Sequence, residues 1–237
     1  MKNLPEMIIL AGGFGTRLRP VVEAVPKPLA PIAGKPFLEY LLGFWVKQGI
    51  RRFILSVGYR WEKIRAHFGT SFLDVPITYS VESSPLGTGG GLISASKQVG
   101  TESPILVANG DTYFEVDLRS LYEVHYSVEA QMTMALARVE NSARFGRVGL
   151  DPRGEIVEMG KASKGGEMSW INGGVYFINP ELLNSVVVPT RPVSLESELV
   201  VEWIRLRKRI YGARSSGRFL DIGIPEDFIR AQDFLAA

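Results

Sequence analysis

Residues 7–20 read MIILAGGFGTRLRP, an apolar run that leads straight into a glycine-rich turn ending in two arginines. Glycines let a backbone bend and approach a ligand closely, so that its N–H groups point at anionic oxygens. Arg17 and Arg19 add fixed positive charge beside that turn. The stretch therefore predicts a strand followed by a phosphate-binding loop that holds a nucleotide. The alternative is a tight turn without a ligand.

Two common nucleotide-binding patterns do not fit this chain. The Rossmann dinucleotide pattern needs a third glycine where Leu18 stands, and no Gly-Lys-Ser/Thr sequence ends a Walker loop. The pair Gly160 and Lys161 is followed by Ala162, which has no hydroxyl group for magnesium. A nucleotide would therefore be held by a different kind of glycine turn.

Lys27 lies between two prolines, Pro26 and Pro28, shortly after the glycine turn. Because prolines fix φ, they are predicted to exclude a helix here. The lysine would then lie on a stiff, extended segment. Such stiffness suits a charge that must meet a phosphate group. A solvated loop lysine is the alternative.

Apolar runs and helical spacings alternate along the first half of the chain, which predicts right-handed βαβ crossovers and a largely parallel sheet. The second half reads mainly as strands joined by turns, followed by two helices. The predicted strands are 7–11, 53–57, 77–81, 105–108, 131–138, 147–150, 155–159 and 170–178. The predicted helices are 37–48, 61–68, 92–99, 195–205 and 225–234.

Composition limits the classes of protein that remain. A chain of 237 residues that is 46% hydrophobic can bury one substantial core, so we expect a single domain. The net charge of +2 is too small to indicate nucleic-acid binding. The N-terminal apolar segment is too short for a membrane span or a signal peptide, so no membrane partner is expected.

Cysteine and histidine chemistry is scarce. The absence of cysteine excludes disulfides, thiolate nucleophiles and cysteine zinc sites, and it agrees with a cytoplasmic location. His67 and His125 lie in helix-like stretches among polar residues, and both are interpreted as surface histidines rather than metal ligands.

Longer sequence motifs make the chain similar to a known family. The run LAGGFGTRLRP followed by PKPLAPIAGKPFLEY resembles the signature of the sugar-1-phosphate nucleotidyltransferases, which join a nucleoside triphosphate to a sugar 1-phosphate. Similar phrases continue in order across nearly the whole chain, and NGDTYF, INGGVY and FLDIGIPED most resemble those of heptose 1-phosphate guanylyltransferases. The further matching phrases lie at 83–90, 109–112, 145–148, 171–176 and 221–227.

The alternation of strands and helices predicts an α/β fold, in which one Rossmann-like, three-layer α/β/α domain contains a mostly parallel mixed sheet. Residues from 1 to about 130 would form the nucleotide-binding half. Residues from about 131 to 237 would form the sugar-binding half, with a small additional lobe.

The chemistry of this reaction limits what the protein must supply. A sugar 1-phosphate already carries an ionised oxygen, so in-line attack on phosphorus needs charge neutralisation and alignment rather than a histidine base. Magnesium takes one or two protein carboxylates together with phosphate oxygens and waters. Asp111 follows a predicted strand and Asp221 follows a strand-like approach, and both match the family's metal-binding aspartates. A plain turn at Asp111 and a helix cap at Asp221 are the alternatives.

The resemblance also assigns contacts residue by residue. One departure concerns Lys161, because relatives have a glutamate immediately before this lysine, whereas this chain has Glu158-Met159-Gly160-Lys161. A solvated lysine therefore stays open at position 161. Arg17, Lys27 and Asp111 are the implied catalytic residues. The implied nucleotide contacts are Leu10, Gly12, Gly13, Gly15, Thr16, Glu82, Gly87, Thr88 and Asn109. The implied sugar phosphate contacts are Gly146, Lys161, Asn172 and Gly173.

Glu82 falls where thymidylyltransferase relatives have a glutamine that reads the base. A carboxylate only accepts hydrogen bonds, and guanine presents two adjacent donors, whereas uracil presents one donor between two acceptors. The position therefore predicts a preference for GTP over UTP. An exposed acid at a strand end is the alternative.

The expected function is transfer of a nucleoside monophosphate from GTP to a heptose 1-phosphate, with Mg²⁺ as cofactor, for surface polysaccharide synthesis. A mannose-1-phosphate guanylyltransferase, an amino-sugar-1-phosphate uridylyltransferase and a non-catalytic nucleotide-sugar-binding regulatory subunit are the alternatives. A binding-only protein has no need of Arg17, Lys27, Asp111 and Asp221 together, which favours an enzyme. Homo-oligomerisation is left open.

Overall fold

The computed structural model describes residues 6–18, 22, 25–100, 103–140, 145–160 and 168–236. Its strands are β1 (Met7–Ala11), β2 (Pro31–Ile32), β3 (Lys35–Pro36), β4 (Phe53–Val57), β5 (Ser71–Phe72), β6 (Val75–Val81), β7 (Ile105–Asn109), β8 (Thr112–Phe114), β9 (Met132–Val139), β10 (Val148–Leu150), β11 (Ile156–Met159), β12 (Ser169–Ile178), β13 (Ile210–Arg214) and β14 (Phe219–Asp221). Its α-helices are α1 (Phe37–Lys47), α2 (Trp61–Phe68), α3 (Gly87–Ser96), α4 (Leu118–Ser127), α5 (Pro180–Asn184), α6 (Val200–Arg205) and α7 (Pro225–Ala236).

An eight-stranded sheet in the order β13-β9-β12-β7-β1-β4-β6-β5 forms the centre of the molecule. β1 pairs in parallel with both β4 and β7, and parallel pairing continues from β4 to β6 and between β9 and β13. β12 runs antiparallel to both of its neighbours, and β5 runs antiparallel to β6. The prediction of a mostly parallel mixed sheet is therefore confirmed.

Both faces of this sheet are covered, as parallel sheets require. Along β1, Met7 and Ile9 pack into one hydrophobic cluster that contains Trp45 of α1. Ile8, between them in sequence, faces the opposite cluster with Leu92 of α3. The alternation of a strand thus places apolar side chains in two separate layers, which gives the expected three-layer α/β/α arrangement.

The structure changes the predicted start of α3, which begins at Gly87 rather than at residue 92. Glycine disfavours helix in isolation, so the sequence predicted helix only from residue 92 onward. Tertiary contact explains the difference, because a Cβ on Gly89 would lie 2.8 Å from Leu199 Cδ1, and one on Gly91 would lie 2.7 Å from Glu82 Oε1. The glycines allow the helix to lie against these two neighbours.

Two further local predictions need correction. Pro26 is extended as expected, but Lys27–Leu29 forms a 3-10 turn, so the prolines do not exclude helical structure there. The predicted helix 195–205 begins with a π-helical turn, Leu195–Leu199, and continues as α6. α4 occupies the helix-like stretch around His125, whereas β13 was not predicted.

His125 is only 2% exposed, so its interpretation as a surface histidine was wrong. Its ring nitrogens lie 2.9 Å from Thr133 Oγ1 and 2.9 Å from Asn179 Oδ1. Burial lowers the pKa of His125 below its ordinary value. His67, by contrast, is partly exposed and pairs with Glu39. None of the described helices combines the length and the apolar character that a membrane span requires.

Candidate active site

A cleft of about 380 Å³ opens at the carboxyl ends of β1, β4 and β7. From β1 the chain proceeds first to β4 and β6 on one side and then to β7 on the other, and open α/β sheets bind ligands at such a switch point. All residues predicted to be catalytic or to contact the nucleotide line this cleft. They are Leu10, Gly12, Gly13, Gly15, Thr16, Arg17, Lys27, Glu82, Gly87, Thr88, Asn109 and Asp111.

The glycine turn lies against neighbours that leave no space for a side chain at two positions. A Cβ on Gly12 would lie 2.6 Å from Glu82 Oε1. Gly15 has φ +59°, and a Cβ there would lie 3.0 Å from Lys27 Cβ. The buried side chain of Leu18 anchors the far end of the turn in a third hydrophobic cluster. The turn is therefore held at both ends, with its backbone on the cleft.

Lys27 reaches into the cleft from the 3-10 turn. Its Nζ lies 2.6 Å from Oδ2 of Asp111, and the lysine and aspartate side chains are 10% and 36% exposed. Asp111 directly follows β7 and Gly110, so the pair joins the N-terminal segment to the carboxyl end of a central strand. This arrangement places a fixed cation beside a carboxylate in the wall of the cleft.

Asp221 approaches the same place through a short antiparallel ladder. β14 pairs with β8, and Asp221 is the direct partner of Thr112. The Thr112 hydroxyl lies 3.3 Å from Asp111 Oδ1 and 3.4 Å from Asp221 Oδ2. Two carboxylates therefore lie within hydrogen-bonding distance of one hydroxyl. Arg17 lies near the same aspartate. A Cβ added to Gly223 would lie 2.5 Å from Asp221 Oδ1 and 3.7 Å from Arg17 Nη2.

Glu82 follows β6 and is held in one orientation. Its Oε1 accepts a hydrogen bond from Ser56 Oγ at 3.2 Å, and its Oε2 accepts one from the Leu86 N–H at 2.9 Å. The carboxylate also lies against Gly12 and Gly91. Glu82 is thus a fixed acceptor in the wall of the cleft rather than an exposed strand-end acid.

Gly87 and Thr88 begin α3 and contact a segment distant in sequence. Gly87 has φ +73°, and a Cβ there would lie 2.5 Å from the Val193 carbonyl oxygen. Thr88 Oγ1 donates to Glu196 Oε2 at 2.9 Å and accepts from the Leu195 N–H at 2.8 Å. The Thr88 hydroxyl is therefore already engaged by the protein, although the residue lines the cleft.

The sequence profile of the family described as Nucleotidyl transferase matches residues 6–237 of this chain. The chain belongs to this nucleotidyl transferase family. It is 42% identical to the D-glycero-alpha-D-manno-heptose 1-phosphate guanylyltransferase of Aneurinibacillus thermoaerophilus over 96% of both chains. It is 37% identical to the Campylobacter jejuni protein of the same name, over 94% of this chain and 96% of that one.

A solved structure of a similar protein has the same fold. HddC from Yersinia pseudotuberculosis, complexed with GMP-PN, matches with a TM-score of 0.85 and 29% identity over 98% of this chain and 99% of that one. The resemblance inferred from the sequence phrases is therefore confirmed, and so is the enzyme class. The alternative of a regulatory subunit without catalysis is not supported by these relatives.

In this nucleotidyl transferase, three of the four predicted sugar contacts lie within the described residues, and none of these three lines the cleft. Asn172 and Gly173 belong to β12, and a Cβ on Gly173 would lie 2.5 Å from the Phe114 ring. Gly146 has φ +74°, and a Cβ there would lie 2.8 Å from the Gly160 carbonyl oxygen. Lys161, the fourth predicted contact, lies outside the described residues.

Sequence reasoning missed several lining residues of this nucleotidyl transferase. Ser56 is 1% exposed and orients Glu82, and its one signal was a polar residue within the apolar run FILSV. Pro192 reaches the cleft from a distant segment without any local signal. Phe14, which also lines the cleft, packs against Tyr59 with a ring distance of 5.5 Å.

Proposed function

We propose that this nucleotidyl transferase transfers GMP from GTP to a D-glycero-D-manno-heptose 1-phosphate, giving a GDP-heptose and pyrophosphate for surface polysaccharide synthesis. The names of the two full-length relatives support this substrate. The observation that carries the catalytic part is the convergence of Lys27, Asp111 and Asp221 beside the glycine turn. With a divalent cation on the two carboxylates and Arg17 beside them, such an arrangement would gather two anions that repel each other in water.

The reaction needs one bond to form and one to break. An oxygen of the sugar phosphate attacks the α-phosphorus of GTP, while the bond from that phosphorus to the oxygen bridging to the β-phosphorus breaks. Pyrophosphate leaves with that electron pair, so no protein group must remove a proton from the attacking oxygen. Arg17, Lys27 and the N–H groups of the glycine turn neutralise charge and hold the phosphates in line.

Mg²⁺ fits the residues present. Among the described residues no cluster of three or more His, Cys, Asp or Glu side chains forms a metal cage. The pair Asp111 and Asp221 matches the one or two carboxylates that magnesium takes when phosphates and waters complete its shell. When bound there, the ion would lower the negative charge on the phosphate oxygens.

Two further groups suit the nucleoside. Asn109 Oδ1 is buried and, within the part of the chain that the structure describes, has no hydrogen-bond partner. Asn109 also lines the cleft, so this residue would lie beside the ribose. Glu82, fixed by Ser56 and Leu86, would accept the two adjacent donors of guanine.

The test is a panel of heptose 1-phosphate and mannose 1-phosphate, each with GTP and with UTP in the presence of magnesium, read as pyrophosphate release. The heptose with GTP should give the highest kcat/KM. A tenfold advantage of UTP would overturn the assignment of the base, and a tenfold advantage of mannose 1-phosphate that of the sugar.

The metal assignment has its own test. Asp111→Ala should abolish pyrophosphate release while the protein stays folded, and Asp233→Ala, which removes an exposed acid on α7, should retain full activity. Unchanged activity of Asp111→Ala would remove the assignment.

A further inference from the structure

A buried chain of hydrogen bonds connects the nucleotide side of the cleft with the predicted sugar side. Tyr176 on β12 is fully buried, and its hydroxyl accepts from Asn172 Nδ2 at 2.7 Å. The same hydroxyl donates to Glu196 Oε1 at 3.1 Å. Tyr176 therefore joins a predicted sugar contact to a carboxylate on the π-helical turn.

The other oxygen of this carboxylate leads to the nucleotide side. Thr88 Oγ1 donates to Glu196 Oε2 at 2.9 Å, and Ser194 Oγ donates to the same oxygen at 3.2 Å. Three hydroxyl groups thus converge on Glu196. Thr88 lines the cleft at the start of α3, so one carboxylate holds side chains from both halves of the protein.

The backbone of β12 is shaped to permit this contact. The ladder between β12 and β9 is irregular between Asn172 and Tyr176, and Gly174 lies there with φ +70°. The Gly174 N–H donates to Asn172 Oδ1 at 2.9 Å. Both ends of the Asn172 amide are therefore engaged, and among the described residues one N–H of its NH₂ group has no acceptor.

The protonation of Tyr176 fixes the direction of the hydrogen bonds to Glu196. Burial raises the pKa of Tyr176 well above its ordinary value, and the charge of Glu196 raises it further, so the hydroxyl keeps its proton. A carboxylate has no proton to donate, so it can accept from Tyr176 and Thr88 at once without an alternative arrangement. A buried polar network that is satisfied in this way specifies one geometry.

We propose that Tyr176 and Glu196 are positioning residues that hold Asn172 toward the sugar and Thr88 against the nucleotide side of the cleft. The identity of the two substrates rests on the proposed function. Neither positioning residue touches the reacting atoms. Their effect is to fix the relative placement of two side chains that come from separate elements of the fold.

Tyr176→Phe keeps the ring and removes the hydroxyl that orients Asn172. We expect KM for the sugar 1-phosphate to rise about tenfold, the scale of one orienting hydrogen bond, with kcat and KM for GTP within about twofold. Glu196→Gln keeps the shape and introduces a donor where only acceptors fit. Because Glu196 accepts from both Tyr176 and Thr88, this variant should raise KM for the sugar 1-phosphate and KM for GTP.

Two controls separate positioning from general stability. Tyr40→Phe removes another tyrosine hydroxyl, which donates to the Ile32 carbonyl oxygen of β2, and both KM values should stay unchanged. In an Asn172→Ala background, Tyr176→Phe should raise the sugar KM no further, because the group that it orients is gone. A role in folding alone would lower the melting temperature of Tyr176→Phe and leave both KM values unchanged.

Calorimetric titration with GTP keeps this inference distinct from the proposed function. If the wild-type enzyme turns over none of the sugar 1-phosphates, the proposed function fails, and the inference stands only if Glu196→Gln weakens GTP binding at least threefold. If the wild-type enzyme is active and folded Tyr176→Phe shows an unchanged sugar KM, the inference is overturned and the proposed function stands. Unchanged GTP affinity in folded Glu196→Gln overturns the inference in either case.

Discussion

The Nζ atom of Lys27 lies 2.6 Å from Oδ2 of Asp111, although the two residues are 84 positions apart. The pair gives each group a partner before any ligand is present. Phosphate oxygens would attract the lysine, and a divalent cation would attract the carboxylate, so binding exchanges one ion pair for two new ones. The cleft thereby keeps both charges in place without leaving either one alone.

Lys27→Met should reduce kcat/KM for pyrophosphate release by about 100-fold, the usual effect of losing one preorganised charge at a developing anion. Asp111 is about one-third exposed, so water can solvate it in the variant and the melting temperature should change little. Lys35→Met, which removes an exposed lysine on β3, is the control and should retain activity. A decrease smaller than threefold in Lys27→Met would contradict this role.

Alanine substitutions at Gly87 and Gly34 allow the cost of a steric clash to be compared with the cost of left-handed backbone alone. Both have positive φ, but a Cβ on Gly87 would lie 2.5 Å from the Val193 carbonyl oxygen, whereas a Cβ on Gly34 would meet nothing within 4 Å. Gly34→Ala should lower the free energy of unfolding by about 1 kcal/mol, the cost of left-handed backbone. Gly87→Ala should lower it by about 3 kcal/mol or more because overpacking is added to that strain.

Urea unfolding of both glycine variants measures this difference. Gly87→Ala should also raise KM for GTP, since the displaced Val193 is a neighbour of Pro192 in the cleft wall. Equal destabilisation of the two variants would show that the contact between Gly87 and Val193 has no energetic weight.

Glu82→Gln tests the choice of base. The amide keeps the shape of the side chain but replaces one of two acceptors by a donor, so we expect kcat/KM with GTP to fall about tenfold while that with UTP does not fall. Ser56→Ala removes only the hydroxyl that orients Glu82. It should lower the ratio of kcat/KM with GTP to kcat/KM with UTP by a smaller factor than Glu82→Gln does. A GTP to UTP ratio that stays constant in both variants would exclude Glu82 from base recognition.

His125 predicts a dependence of stability on pH. Burial lowers its pKa in the folded protein from the ordinary value of 6.5, so the unfolded chain takes up a proton first as the pH falls. The free energy of unfolding should therefore decrease from pH 7.5 to 5.5. His125→Gln should lose this part of the decrease, and His67→Gln should keep it. The measurement is urea unfolding at both pH values, and an identical decrease in wild type and His125→Gln would refute the assignment.

Strands were easier to predict than the elements around the cleft. β1 and β4 have the bounds expected from their apolar runs, because buried parallel strands are continuously hydrophobic. The start of α3 was missed because its glycines disfavour helix in isolation and are explained only by contact with the distant Leu199 and the nearby Glu82. His125 was misjudged because its partners, Thr133 and Asn179, come from other elements.

By itself, the sequence determined the α/β fold class, the family and the position of the glycine turn, because these depend on local periodicity and on short motifs in a fixed order. Tertiary structure alone decided that Lys27 pairs with Asp111. It also placed the Thr112 hydroxyl between the carboxylates of Asp111 and Asp221, although Asp221 is 109 positions away from Thr112. It also decided the chain of hydrogen bonds at Glu196. The physical reason is that strand pairing and core packing bring distant residues together, and no local pattern contains the distance between them.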